Sequence, residues 1–252
     1  MLGGRFAGAA GARVVIEEFL SGVEASYIVI AANLDFVPMA TSQDHKRVGA
    51  GDTGPNTGGM GAYTPARVVT PEIEARIQRE IIAPTLRGMA AEGRPFTGFL
   101  YAGIMIDALK NPRVLEFNTR MGDPETQPIL ARLISPFLPV LQAAANNTLA
   151  NKTLDWDTRV ALGVVLCAEG YPAEVRKGDE ISGLDDADDS TLVFHAGTKA
   201  QGDAVLTDGG RVLCVVGLGA DTQAAKAAAY ARAEQITWPG RFMRPDIGWR
   251  AV

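Results

Sequence analysis

The sequence predicts a mixed α/β (α+β) chain: an antiparallel sheet with packed helices, followed by a smaller, mostly β carboxy-terminal domain. Three observations carry this. Apolar residues alternate with period two in several runs and recur at helical spacing in others. The polar turn "NLDF" at 33–36 joins two of the alternating runs into a hairpin. Near Asn151 the pattern changes to short strands and one Ala-rich helix.

The elements follow in order. "RVVIEEFL" (13–20) reads as a strand running into a connection, and "EASYIVIAAN" (24–33) as a second strand continued beyond the turn by "FVPMATSQ". Residues 44–65, dense in Gly and short polar residues, read as one long loop. Thr70 as N-cap and Pro71 at the first helical position open an amphipathic helix over 70–93, with Ile73, Ile77, Ile81 and Ile82 at helical spacing. "GFLYAGIMID" (98–107) and "PRVLEFN" (112–118) are strands around the turn "ALKNP"; residues 126–149 are helical and broken by prolines. A boundary at about 150, in "NNTLANKTLDWD", separates domain 1–150 from domain 151–252. Beyond it come "RVALGVVLC", "STLVFHAG" and "RVLCVVGLG" as strands, and a helix over 221–236.

Composition narrows the function classes. With 252 residues, 47% hydrophobic and 21% charged, the chain is long enough for one sizeable core or two small ones. The net charge of −5, from 24 basic and 29 acidic residues, implies no nucleic-acid and no membrane partner. No apolar run approaches the roughly 20 residues of a membrane span. The opening "MLGGRFAGAAGARVV" lacks a basic segment followed by an apolar one, so it is not a secretory signal and a cytoplasmic location is expected. Cys167 and Cys214 lie in apolar runs and read as buried reduced thiols, a disulfide between two strands being the other reading.

The stretch "EFNTRMGDPETQP" (116–128) is unusual, because a surface turn has no need of a carboxylate, an amide, a guanidinium and two more carboxylates in that order. Strand alternation puts Glu116 and Asn118 on one face and Leu115 and Phe117 on the other. A carboxylate beside an amide oxygen suits Mg²⁺, which completes its shell with water and phosphate. Arg120 would then offer a donor fork to phosphate, and Asp123 and Glu125 would reach a second ligand. On spacing alone a solvated strand end with a salt bridge worth ~0–1 kcal/mol competes evenly.

Two further stretches are candidates. In the loop, glycines including Gly58, Gly59 and Gly61 permit close backbone approach to a ligand, and Asp44, His45 and Lys46 bring charge and an imidazole beside it. It matches neither the P-loop nor the dinucleotide fingerprint. In "VVIEEFLSGVEAS" the backbone could meet an adenine edge and Glu24 a ribose, but taken alone this is a strand with an acidic end.

Together, "VIEEFLSGVEASYIVI", "PMATSQDHKRVGAGDTGPNTGGMGAYTP", "GFLYAGIMID", "VLEFNTRMGDPETQP", "VFHAGTK", "GGRVLCVVGLG" and "DIGWRA" resemble the carboxy-terminal part of the phosphoribosylamine–glycine ligase (glycinamide ribonucleotide synthetase) family, ATP-grasp enzymes of purine synthesis. "RMGDPETQ" is the family's own signature, and the similarity runs through essentially the whole chain in order. The resemblance implies a partial ATP-grasp domain and a ligase that joins glycine to 5-phosphoribosylamine through glycyl phosphate, splitting ATP to ADP and phosphate. It puts Mg²⁺ or Mn²⁺ on Glu116 and Asn118, the adenine hinge on the backbone around Glu18 and Leu20 with Glu17 beside it, and the ribose contact on Glu24. It sets Arg120 against the transferred phosphoryl group. Asp44, Lys46, Gly58, Gly59, Gly61, Asp123 and Glu125 become substrate-pocket positions, with Asp44 and Lys46 joining Arg120 in the catalytic set.

There are two departures. Many ATP-grasp sites have a second acidic metal ligand about twelve residues before the first; here that neighbourhood is "AGIMID", apolar except for Asp107. The family also has an amino-terminal domain, and a first grasp subdomain whose lysines hold the triphosphate. Neither precedes this stretch, so the chain by itself is expected to be a poor ligase, each lost charge-assisted bond costing ~1.5–3 kcal/mol. The rival readings are another ATP-grasp carboxylate–amine ligase, a carboxylase subunit, or a nucleotide-binding fragment without turnover. His195 reads as a satisfied histidine near a strand end, and Trp156, Trp238 and Trp249 as core or domain-interface residues.

Overall fold

A computed structural model describes residues 14–184 and 189–251. Strands β1 (Val23–Ala32) and β2 (Asp35–Pro38) form the expected hairpin, and Asn33 takes a φ of 58° in its turn, a conformation that asparagine tolerates. With β7 (Thr97–Ile106) and β8 (Pro112–Asn118) they make a four-stranded antiparallel sheet in the order β2-β1-β7-β8. Every residue of β1 from Ala25 to Ala32 is buried because both faces of the sheet are covered. Ala25, Tyr27, Val29 and Ala31 pack with Ile73, Ile77, Ile82 and Leu86 of the long helix; Ile28, Ile30 and Ala32 pack with Ile129, Val140 and Ala143 on the opposite side.

The long helix begins as its sequence predicts. The Thr70 hydroxyl accepts from the Ile73 N–H at 3.3 Å and Pro71 occupies the first turn of α1 (Pro71–Ile77). A wide π-turn over Gln78–Ile82 follows, in which the Ala83 N–H reaches back to the Gln78 carbonyl, before α2 (Ala83–Ala91). Pro84 has no N–H to give and its ring would press on the carbonyl four residues back; the wider turn accommodates it. The proline-broken stretch gives α3 (Thr126–Ala131) and α4 (Phe137–Ala145).

The second sheet is five-stranded and antiparallel, β10-β13-β9-β6-β3, and its ends come from distant parts of the chain. β9 (Val160–Cys167), β10 (Thr191–His195) and β13 (Arg211–Gly219) lie after residue 150, whereas β3 (Gln43–Asp44) and β6 (Gly61–Thr64) lie before it, with Gly61 opposite Val164 and Thr64 opposite Ala161. This sheet therefore draws on both sides of the sequence boundary. α5 (Thr222–Gln235), capped by the Asp221 carboxylate, packs Ala225, Ala229 and Ala233 into the same core. A small hairpin, β11 (Thr198–Gln201) with β12 (Ala204–Thr207), completes this part.

Two expected elements differ. Residues 14–20 form no strand: Val15, Ile16 and Phe19 are 85%, 92% and 92% exposed, and no described strand pairs with them. Residue 13 of that stretch lies outside the described residues. The expected loop over 44–65 is instead structured, with a hairpin of β4 (Arg47–Gly49) and β5 (Thr53–Asn56) leading into β6. Its glycines serve close strand packing as well as turns. The two cysteines are free and buried, and burial pushes the Cys167 thiol up to about 12, so the reduced-thiol reading holds. Among the described residues no helix is long and apolar enough to cross a membrane.

Candidate active site

The open edge of β8 faces two connected spaces: a cleft of about 1120 Å³ and a cavity of about 150 Å³, with Asp44, Lys46 and Glu116 lining both. The Asn118 side-chain amide donates to Glu116 Oε1 at 3.3 Å, so the pair shares one face as strand alternation requires. Leu115 lines the cleft as well, against simple alternation. The register of β7 against β8 slips there, Gly103 pairing with Glu116 and Ile104 with Val114, which leaves Leu115 as the extra residue of a bulge. The strand end thus presents an apolar side chain to the cleft, an amide to the small cavity, and the Glu116 carboxylate to both.

The large cleft is lined by apolar residues, Phe19, Leu20, Met105 and Leu115 among them, and by charged ones, including Glu24, Lys46, Arg67 and Arg250. Glu24 pairs with Lys46, whose charge is opposed by burial but favoured more strongly by Asp44, Glu24 and Glu116, so that its pKa is raised. Gln43, a buried residue missed in the sequence reading, ties the cleft floor together: its amide donates to the Glu24 carbonyl at 2.8 Å, and its oxygen accepts from the Tyr63 hydroxyl. Leu20 and Glu24 therefore meet the cleft as expected. The side chains of Glu17 and Glu18 lie off its lining; Glu18 pairs with Arg113 at 2.6 Å on the surface.

Arg120, Asp123, Glu125, Thr57, Gly58 and Tyr101 border the small cavity. Glu125 is buried and accepts from the Ser26 hydroxyl at 2.9 Å, and Ser26 in turn meets the Tyr101 hydroxyl at 2.8 Å. Arg211 reaches across from β13 to donate to the carbonyls of Gly58 (2.7 Å) and Asp123 (3.0 Å) and to the Asp123 carboxylate (2.9 Å). Of the three glycines, only Gly58 lines the cavity. A Cβ at Gly59 would fall 2.3 Å from Pro124, and one at Gly61 would fall 2.5 Å from the Gly163 carbonyl; both positions are packing requirements.

The two residues following Asp44 diverge. Lys46 faces the cleft, while His45 turns into the core, where Nε2 accepts from the Gly248 N–H at 3.2 Å. Burial, then Arg250 and Arg244, lowers the imidazole to about 4. Its folded value lies below its ordinary one, so the stabilisation it gives is complete above pH 6.5 and lost as pH falls towards 4. We expect this step to be on the order of 3 kcal/mol, and to be flattened in His45→Asn when unfolding free energy is measured across that window. A step of equal size in the variant would assign it to other groups.

Trp249, expected in the core or at a domain interface, lines the cleft and is 47% exposed. Arg250 stacks over it at 5.3 Å and donates to the Asp44 carbonyl at 3.1 Å and to the Asp52 carboxylate. His195 is at the end of β10, its Nδ1 3.1 Å from the Thr198 hydroxyl, as the structural reading expects.

Glu116 and the Asn118 amide oxygen are the pair that could hold a divalent cation, and such a pair fits a hard ion that takes its other oxygens from water and phosphate. Asp107 is not a second ligand. Its carboxylate accepts from the Leu109 and Asn111 N–H groups, both at 2.8 Å, and from the Asn111 amide at 3.0 Å, and these bonds hold it below the usual carboxylate range. Among the described residues no three His, Cys, Asp or Glu side chains converge on a metal position.

Comparison with known proteins agrees with this architecture. Residues 1–126 match the family description "Phosphoribosylglycinamide synthetase, ATP-grasp (A) domain", and residues 161–250 match the corresponding C domain. The phosphoribosylamine–glycine ligases of Vibrio vulnificus and Ralstonia nicotianae are 56% and 58% identical over the whole chain, which spans 59% and 60% of their lengths. The crystal structure of the Thermotoga maritima phosphoribosylamine–glycine ligase is 35% identical with a TM-score of 0.82, covering 92% of this chain and 57% of that one. A biotin carboxylase from Campylobacter jejuni, 11% identical with a TM-score of 0.63 over 89% of this chain and 48% of its own, shares the fold alone. With the A and C models matched in order and the fold that of an ATP-grasp protein, the chain belongs to the phosphoribosylglycinamide synthetase family.

Proposed function

We propose that these residues serve the ATP-dependent ligation of glycine to 5-phosphoribosylamine, which yields glycinamide ribonucleotide, ADP and phosphate by way of glycyl phosphate, in the cytoplasmic synthesis of purines. The observation that carries the reading is the Glu116–Asn118 pair, set where a nucleotide-sized cleft meets a small cavity bordered by Arg120. In this reading the adenine lies against Leu20, Met105 and Leu115, Glu24 accepts from the ribose, and the phosphates approach Lys46. Glu116 and Asn118 would hold Mg²⁺ or Mn²⁺, which supplies positive charge to the phosphate oxygens. A carboxylate meeting a triphosphate brings two anions together, and Arg120 offsets that charge as the phosphoryl group moves. No nucleophilic Ser or Cys is required, and both thiols are buried away from the cleft.

Two measurements test this. Calorimetry should show the chain binding Mg-ATP. A chimera in which this chain replaces the matching part of the Vibrio vulnificus ligase should form ADP only when glycine and 5-phosphoribosylamine are both present. ADP formation with a different amino acid, or bicarbonate, in place of glycine would overturn the substrate assignment. Mg-ATP binding without turnover in the chimera would favour a nucleotide-binding role instead.

A further inference from the structure

The small cavity has a charge imbalance that the proposed nucleotide chemistry leaves unused. Four carboxylates border it, those of Asp44, Glu116, Asp123 and Glu125, against the cations Lys46 and Arg120. Lys46 is engaged by Glu24, Asp123 by Arg211, and Glu116 lies beside Asn118 on the edge assigned to the divalent ion. Asp44 and Glu125 remain, both buried and neither in an ion pair among the described residues, although Asp44 feels the charge of Lys46, which it shares with Glu24. Glu125 receives the Ser26 hydroxyl on one oxygen, while no described side chain donates to the Asp44 carboxylate, which is 9% exposed and borders the cavity. A buried, unpaired carboxylate is costly, and two on one cavity more so, unless a cation occupies it.

We propose that Asp44 and Glu125 form the seat for the ammonium group of the amino acid substrate, with the amino acid's carboxylate directed towards Arg120 and the Glu116–Asn118 edge. This rests on the ligase reading above. A primary ammonium offers three donors, enough for both carboxylates at once and for the Tyr101 hydroxyl that also borders the space. The volume is compatible too. About 150 Å³ is room enough for a molecule as small as glycine. The ionisation of Asp44 is in keeping with this: burial, then the Glu125 carboxylate, pushes it up to about 7, as expected for a site short of positive charge.

The test is a titration of glycine, and separately of acetate, into the chain saturated with a non-hydrolysable Mg-ATP analogue. Glycine should bind more tightly than acetate, and Asp44→Asn or Glu125→Gln should weaken glycine at least tenfold while changing acetate less than twofold. Glu125→Asp, which keeps the charge on a shorter arm, should fall between. Thermal melts establish that each variant is folded, and each glycine titration is made at an analogue concentration shown to saturate that variant. Equal glycine affinity in the wild type and either folded isosteric variant, or glycine no tighter than acetate, overturns the assignment. Failure of the ligase reading has a different signature, in which the analogue does not bind or the chimera makes no ADP while the acid pair still discriminates glycine from acetate.

Discussion

Glu116→Gln is expected to reduce ADP formation in the chimera at least a hundredfold, and to remove most of the dependence of ATP binding on divalent cation. The substitution keeps the shape and deletes the one carboxylate of the proposed pair of metal ligands, leaving two neutral amides against a polyphosphate. Loss of a single electrostatic contact to developing charge typically costs about 10²–10³ in turnover. Glu116 is solvent-exposed at the strand end, so unfolding free energy should move by no more than about 0.5 kcal/mol. That contrast separates a chemical role from a structural one. Turnover within threefold of the parent would remove the metal assignment from this residue.

Arg244→Met should produce the largest loss of stability. The guanidinium is 1% exposed and makes four contacts: both oxygens of Asp246 at 2.8 Å, Asp52 at 2.9 Å and the Arg47 carbonyl at 2.9 Å. Burial alone would raise Asp246, but these bonds more than offset it and hold the carboxyl at about 2. Removing the buried guanidinium takes a donor from two part-exposed carboxylates and a carbonyl, and Asp52 keeps Arg250 while Asp246 keeps the Gly51 N–H, so the cost is about 3 kcal/mol, the low end for a buried pair. For a chain of this length that corresponds to a fall of about 10 °C in Tm. Asp52 also holds Arg250, which borders the cleft, so affinity for Mg-ATP should weaken alongside stability. A loss under 1 kcal/mol in thermal or urea unfolding would show that the network does not hold the cleft wall.

Much of the scaffold could be read from the chain alone, because its signals are local. The hairpin at 33–36, the helix opened by Thr70 and Pro71, the paired strands 98–107 and 112–118, and the capped helix from Asp221 each depend on backbone sterics and on periods of two or 3.6 residues. The side-by-side placement of Glu116 and Asn118 follows from the same period. Where prediction failed, the missing information was a partner. Residues 14–20 have strand-like side chains but, among the described residues, no strand to pair with, and the glycine-rich residues 44–65 look like loop until β6 meets β9 about a hundred positions later.

Which residues could supply an acid, an amide and a guanidinium was set by residue order along 116–125. Where those groups point, and what neutralises them, was set by folding. Arg211 meets Gly58 across 153 residues and Arg250 meets Asp44 across 206, contacts for which no short-range pattern exists. The bulge that turns Leu115 into the cleft depends on the register against β7, and the burial that leaves Asp44 and Glu125 short of a counter-charge depends on every layer packed around them. Steric preference acts over a few bonds, whereas charge and desolvation act through space. The chemistry of this cleft belongs to the second kind.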